Sequence, residues 1–453
     1  MKNLDVQNYI DNARFTKFHW LILIVCSLLM VFDGYDLFLF GVVIPVVMNE
    51  WGLTPIEAGT LGSYSLFGMM FGALLLGTLA DKIGRKKGII VAFILFSVAT
   101  FLNGFASTPT EFGIYRFLAG LGCGGLMPNA VALINELAPK KIRNTLVTLM
   151  FSGFSLGGVF AAGLGIYLMP KFGWEVMFFA AIAPLLLLPF LIIYLPESIS
   201  FLVRSGRVDE AKILLKKLQP DDNTITENTQ LIFPEKTSRK GSVVDLFTEG
   251  RLIGTLAFWV AFFCCLLMVY ALGSWLPKLM NNAGYSLGSS LSFLLALNFG
   301  GAVGAILGGI LGDRFNLGKV IIIFFLISVG SISLMGFNSP MPILYTLITI
   351  AGATVIGTQI LIYAAVAQFY GTSFRSTGLG WASAVGRTGA IVGPILGGFL
   401  LAAELPLKAN FFVFALPGAV AAVAMLIFVS VGCSKADNFC FTHPELNPEF
   451  NKA

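Results

Sequence analysis

The chain has 453 residues, 57% of them hydrophobic and 12% charged, against about 25% charged in a typical soluble domain. That balance excludes a soluble enzyme, and the long uncharged segments that recur along the chain each suffice for a helix of about 20 residues across a bilayer. The net charge of +5 is not a nucleic-acid signature, because the basic residues sort by side of the membrane.

Taken in chain order, residues 1–19 hold two aspartates and no small-residue cleavage site, and are expected to be a cytoplasmic tail instead of a signal peptide. Six spans follow, at 20–46, 56–80, 88–106, 112–136, 145–169 and 174–195, forming an N-terminal half over 20–195. Residues 196–251 are a polar central loop, expected to be a cytoplasmic tether carrying one amphipathic surface helix, "VDEAKILLKKL" (Val208 to Leu218). Six more spans, at 252–278, 287–311, 319–337, 343–369, 376–402 and 409–432, form a C-terminal half over 252–432, and 433–453 is a second tail. The fold class is therefore an all-α, multi-pass membrane protein of twelve helices.

With the N-terminus inside, 24 of the 29 Lys and Arg fall on cytoplasmic segments. Only Lys171, Lys278 and Lys408 fall on the other side, and Arg116 and Arg387 lie within spans. This excess places both termini in the cytoplasm. Of the cysteines, Cys26, Cys123, Cys264 and Cys265 lie in spans and Cys433 and Cys440 in or beside the tail, without metal-ligand spacing. His19 and His443 both lie away from the bilayer centre, so histidine metal chemistry is not expected.

The two halves repeat at an offset of 232 residues. "PVVMNEWG" (Pro45 to Gly52) matches "PKLMNNAG" (Pro277 to Gly284), "GTLADK" (Gly77 to Lys82) matches "GILGDR" (Gly309 to Arg314), and "KIRNT" (Lys141 to Thr145) matches "SFRST" (Ser373 to Thr377). An even number of spans per copy makes the copies parallel, an arrangement of secondary transporters with the substrate site near the midplane between the halves. No phosphate-binding G-x-x-x-x-G-K-[ST] loop occurs, so the drive is expected to be an ion gradient, with no cofactor.

Three stretches then resemble the major facilitator superfamily: "GTLADKIGRKK" after span two, "YRFLAGLGCGG" in span four and "PESISFL" after span six. Within it, "FDGYD" in span one, "WLPKLM" in span seven and "GRTGAIVGP" in span eleven resemble the aromatic acid:proton symporters, the benzoate and 4-hydroxybenzoate types above all. The resemblance implies two six-helix halves and import of a small aromatic carboxylate with protons across a bacterial inner membrane, by a monomer. Two alternatives stay open: a proton antiporter exporting amphiphiles, and a symporter of a non-aromatic acid such as muconate. "GAIVGPILGG" (Gly389 to Gly398) resembles an antiporter signature, but that signature belongs in span five, which here reads "GFSLGGVFAAG" without proline.

The residues that could carry transport are few. Asp33 and Asp36 sit inside the first apolar run, where a charge costs at least roughly 2.5–3.5 kcal/mol. Three apart, they share one helix face, and two close carboxylates in a low dielectric are suited to holding a shared proton. Gly34 between them allows a bend or a close helix approach. Arg387, in mid-span, cannot shed its proton and would suit a substrate carboxylate. Arg116 is a second candidate anion partner, with Tyr35 and Trp381 as aromatic lining. At the cytoplasmic ends, Gly77, Asp81, Gly84, Arg85, Glu136 and Arg143, with Asp313 and Arg375 of the second copy, are expected to form latching pairs. The second copy is degraded, Asn316 and Leu317 standing where Gly84 and Arg85 have their counterparts.

Overall fold

The computed structural model describes residues 2–220, 224–226, 229–232, 243–248, 250–337 and 339–432. A short strand β1 (Lys2–Asp5) leads into α1 (Val6–Asp11) and the long α2 (Lys17–Trp51). Then come α3 (Pro55–Ile83), α4 (Arg85–Asn103), α5 (Pro109–Leu137), α6 (Arg143–Phe172), α7 (Glu175–Phe179), α8 (Ile182–Leu186) and α9 (Leu188–Tyr194). The central loop contributes α10 (Ile199–Arg204), α11 (Val208–Leu218) and strand β2 (Thr229–Ile232). The remaining helices are α12 (Leu252–Asn282), α13 (Leu287–Arg314), α14 (Leu317–Met335), α15 (Met341–Phe369), α16 (Gly371–Ala402) and α17 (Leu407–Ile427).

Among the described residues, twelve segments are long and apolar enough to cross a membrane, matching the expected count. A span must satisfy its backbone internally, which helices do, and several begin on side-chain caps. Thr54 and Glu57 form a reciprocal capping box before α3, the Glu57 carboxylate accepting from the Thr54 N–H at 2.9 Å and the Glu57 N–H donating to the Thr54 hydroxyl at 3.3 Å. Thr108 caps α5 and Ser286 caps α13 in the same way, by accepting a backbone N–H three residues on.

The sixth span departs from the expected single helix. Pro184 has no N–H to give the Ala180 carbonyl, which instead takes the Ala183 N–H at 3.0 Å. Pro189 leaves the Leu185 carbonyl in the same position, and nearby the Leu187 N–H tightens onto the Pro184 carbonyl at 3.0 Å. These three-residue turns divide the span into α7, α8 and α9.

The chain forms two compact units. The first takes the described residues within Met1–Leu37, Tyr64–Gly157 and Leu168–Thr237; the second takes those within Phe38–Ser63, Gly158–Tyr167 and Ser238–Ala453. Inside the first, α3 and α5 meet along a seam of glycines. A Cβ on Gly68 would overlap the Phe117 carbonyl, one on Gly72 the Leu121 carbonyl, and one on Gly120 the Ser65 carbonyl. Inside the second unit, α13 and α15 repeat the seam: Gly300 meets Thr349, Gly304 meets Ala353 and Gly352 meets Leu297. All six residues of each set are displaced by 232, so the sequence repeat is also a repeat of contacts. Close backbone approach of this kind supplies the van der Waals packing that holds helices together where lipid removes the hydrophobic drive.

The N-terminal tail and the central loop are more than a tail and a tether. Strand β1 pairs in parallel with β2, Lys2 opposite Thr229 through Asp5 opposite Ile232. Val6, Tyr9 and Ile10 of α1 are buried. The Gln219 side-chain amide donates to the Tyr9 carbonyl at 2.9 Å, and the Lys140 N–H to the Asp11 carbonyl at 3.1 Å. Helix α11 is amphipathic as expected, burying Ala211, Leu214, Leu215 and Leu218.

Candidate functional site

The first unit contains a charged cluster closed off from solvent. Asp33 and Asp36 on α2 are 0% exposed and Arg116 on α5 is 1% exposed. Arg116 Nη1 donates to Asp36 Oδ1 at 2.9 Å and also to the Asp36 backbone carbonyl at 3.2 Å. Thr100 on α4 donates its hydroxyl to the same Asp36 Oδ1 at 3.0 Å. One carboxylate oxygen thus takes both side-chain donors, and Asp36 Oδ2 and Arg116 Nε have no hydrogen-bond partner among the described residues. Asp33 lies one turn earlier along α2, beside the Cys123 thiol of α5. Cys123 follows Arg116 by seven residues, two turns on the same face. The antiparallel α2 and α5 therefore match Asp36 with Arg116 and Asp33 with Cys123.

Gly34 lets this cluster form. A Cβ there would overlap the Phe154 carbonyl of α6, and a Cβ on Gly157 would overlap the Val31 carbonyl of α2. The close-approach reading of Gly34 is the one the structure adopts. Tyr35 is buried, and its hydroxyl donates to the Met177 carbonyl at 2.7 Å. That hydroxyl is therefore committed to the backbone of the broken sixth span.

In the second unit, Arg387 lies on α16, half-buried. Its guanidinium forms no ion pair or hydrogen bond among the described residues. One turn earlier on the same face is Ser383, whose hydroxyl lies 3.2 Å from the Tyr363 hydroxyl of α15. Phe262 packs edge-on against Tyr363, ring centroids 4.8 Å apart. Trp381 is 43% exposed and stacks on Trp259 at 6.1 Å. Among the described residues, an unpaired cation, two hydroxyls and aromatic rings thus lie along this part of α12, α15 and α16.

The basic ends of the first-copy helices form a separate network. Asp81 pairs with Arg85 one turn away at 2.9 Å, and Arg85 also donates to the Asn129 side chain at 2.7 Å. Gly77 faces open space, while Gly84 takes φ +101° to separate α3 from α4 by a single residue. Glu197 lies against Gly84 and accepts the Lys86 N–H at 3.1 Å, sealing the start of α4. Glu136 accepts from the Ser198 hydroxyl. Arg143 pairs with Asp11 of the N-terminal tail at 2.5 Å and caps the end of α5 through the Ala138 carbonyl at 2.8 Å. The side chains of Asp313 and Arg375 lie outside the described residues. Sequence reasoning missed Thr100, Cys123, Glu197, Ser198, Asn129 and Asp11. Glu197 and Ser198 stand in the quoted "PESISFL" and Cys123 in "YRFLAGLGCGG"; the others carry no local signal.

The repeat sharpens the site by showing where it fails. At the 232-residue offset, Asp33 has Cys265 as its counterpart, Asp36 has Met268, Arg116 has Ile348 and Thr100 has Ile332. Even the Asp33–Cys123 neighbourhood has its equivalent, the Cys265 thiol donating to the Val355 carbonyl at 3.4 Å. Conversely, Arg387 has Ser155 as its counterpart. The acids stand in one copy and the unpaired arginine in the other, on backbones that otherwise pack alike. Among the described residues no group of His, Cys, Asp and Glu side chains is arranged to hold a metal ion.

Known proteins agree with this architecture. The profile of the Major Facilitator Superfamily matches residues 26–306 and 259–439. The chain is 46% identical to the benzoate transport protein of Acinetobacter baylyi, over 94% of this chain and 93% of that protein. It is 37% identical to the gentisate transporter of Corynebacterium glutamicum (88% and 85% covered) and 35% identical to the 4-hydroxybenzoate transporter of A. baylyi (94% and 94%). Among solved structures, the partially occluded inward-open xylose transporter of E. coli superposes with a TM-score of 0.72 at 18% identity, covering 91% of this chain and 98% of that one. At that identity the likeness is one of fold.

Proposed function

The chain belongs to the major facilitator superfamily, and on that premise we propose that it imports a small aromatic carboxylate, benzoate or a close relative, together with protons. The membrane is a bacterial inner membrane, with both termini in the cytoplasm, and the working unit is a monomer. The observation that carries this reading is the unpaired Arg387 in mid-span, in a chain whose most similar relatives named above are transporters of benzoate, gentisate and 4-hydroxybenzoate.

A permanent cation at that depth is costly without a counter-charge. The substrate carboxylate supplies one, and the ring rests on the aromatic side chains near Ser383 and Tyr363. In the first unit the acids need the complementary event. Asp36 is balanced by Arg116, and since two carboxylates this close in a low dielectric do not both ionise cheaply, Asp33 takes the coupled proton, with Asp36 able to accept it when Arg116 turns away. Only two forms therefore reorient readily: the loaded one, with Arg387 neutralised by substrate and the aspartate by a proton, and the empty one after proton release, in which the two opposite charges cancel in sum. A half-loaded carrier keeps one uncompensated charge and is held back, which couples the two fluxes.

The test is equilibrium binding of labelled benzoate to the purified protein, competed by 4-hydroxybenzoate, vanillate and muconate. Displacement by the aromatic acids ahead of muconate is expected. Preferential displacement by muconate would replace the aromatic reading with that of a general organic-acid carrier.

A further inference from the structure

The mechanism leaves unused a cavity of about 590 Å³ in the first unit, bounded by the end of α9, the start of α4 and the amphipathic helix α11. That volume lies in the ordinary range of ligand pockets. One wall is hydrocarbon: Ile192, Ile193 and Ile213 are exposed, Ile193 by 70%. Four basic side chains, Lys86, Lys87, Arg207 and Lys217, line the cavity against two acids, Glu197 and Glu210.

The acids do not neutralise the lysines. Glu210 takes both of its hydrogen bonds from Arg207, at 2.6 and 2.5 Å, and these hold its carboxyl below the ordinary carboxylate value. Glu197 accepts the backbone N–H groups of Lys86 and Ser198. Lys86, Lys87 and Lys217 form no ion pair among the described residues. On α11, Ile213 and Lys217 are one turn apart and present an apolar and a charged group on one side. Apolar surface at the end of a spanning helix meets unpaired ammonium groups just beyond it, which is the chemistry that holds an anionic lipid at a membrane surface.

We propose that this cavity is a binding site for an anionic phospholipid, its phosphate held by Lys86, Lys87 and Lys217 and its acyl chains lying along Ile192, Ile193 and Ile213. The lipid would anchor α11, and through it the N-terminal tail that α11 and β2 clasp. The site is independent of the transport substrate.

Native mass spectrometry of the full chain in detergent, titrated with phosphatidylglycerol or phosphatidylcholine, tests the assignment. Preferential retention of one phosphatidylglycerol is expected, falling at least fivefold in the combined variant Lys86→Gln, Lys87→Gln and Lys217→Gln but unchanged in Lys319→Gln, a basic residue outside the cavity. Lys87 and Lys217 are exposed and Lys86 is half-buried, and the comparison of the two lipids on the wild-type chain stands without any variant. Equal retention of both lipids, or undiminished retention by the combined variant, would overturn the proposal. Displacement of the phosphatidylglycerol by millimolar inorganic phosphate would also overturn it, assigning the cavity to a soluble anion instead.

Discussion

Asp36 and Arg116 are joined through a single carboxylate oxygen at 2.9 Å, and neither side chain reaches solvent. Removing one member of such a pair strands the other, typically at about 3–5 kcal/mol, whereas removing both costs far less. Asp36→Asn and Arg116→Gln are each expected to lower the thermal midpoint in detergent markedly. The double variant should recover much of that loss without recovering transport. Additive losses in the double variant would mean that the contact contributes nothing.

Arg387 makes the opposite prediction. With no partner among the described residues, Arg387→Lys should leave the stability, followed by thermal unfolding, within about 0.5 kcal/mol of wild type. Substrate binding should weaken by at least about tenfold, because a point charge replaces a two-pronged donor. Unchanged half-saturation would remove Arg387 from the binding site.

Gly41 and Gly273 occupy equivalent places in the two copies and meet directly within the second unit, a Cβ on Gly41 overlapping the Gly273 carbonyl. Nearby, Ser63 donates to the Ile391 carbonyl at 2.8 Å. In the proposed topology this is the outer end of the helices, so Gly41→Leu should keep that end apart. A Ser63→Cys reporter is expected to react with an external maleimide only when Gly41→Leu is also present. Equal labelling with and without it would show that the seam is no barrier.

Gly84 is the one residue between α3 and α4, at φ +101°. Gly84→Ala should cost about 1–3 kcal/mol through backbone strain, read as a fall in thermal midpoint. Asn316 at the matching position of the second copy has φ −60° and caps α14 through Lys319, so Asn316→Gly should cost only a few tenths of a kcal/mol. Similar losses at both places would contradict the strain argument.

Much of this was legible in the sequence, for physical reasons. A span must be long and apolar, so twelve of them stand out, and the 232-residue repeat reappears as matched pairs such as Gly68 with Phe117 and Gly300 with Thr349. Charges at depth also stand out, which is why Asp33, Asp36, Arg116 and Arg387 could be named. Their partners could not. Thr100 is an ordinary residue inside an apolar helix, Cys123 stands in a quoted motif that does not say what it faces, and Asp11 meets Arg143 only because the tail folds back. The division of the sixth span follows from Pro184 and Pro189, but prolines are tolerated in many membrane helices and do not by themselves announce a break.

Gradient-driven uptake tests the central claim most directly: labelled benzoate accumulation in proteoliposomes, with and without an imposed inward proton gradient, for the wild-type chain, Asp33→Asn and Asp36→Asn. Accumulation by the wild type only under the gradient, and by neither variant although both insert, is the predicted result. Wild-type rates in both variants, or uptake indifferent to the gradient, would contradict proton coupling through this pair.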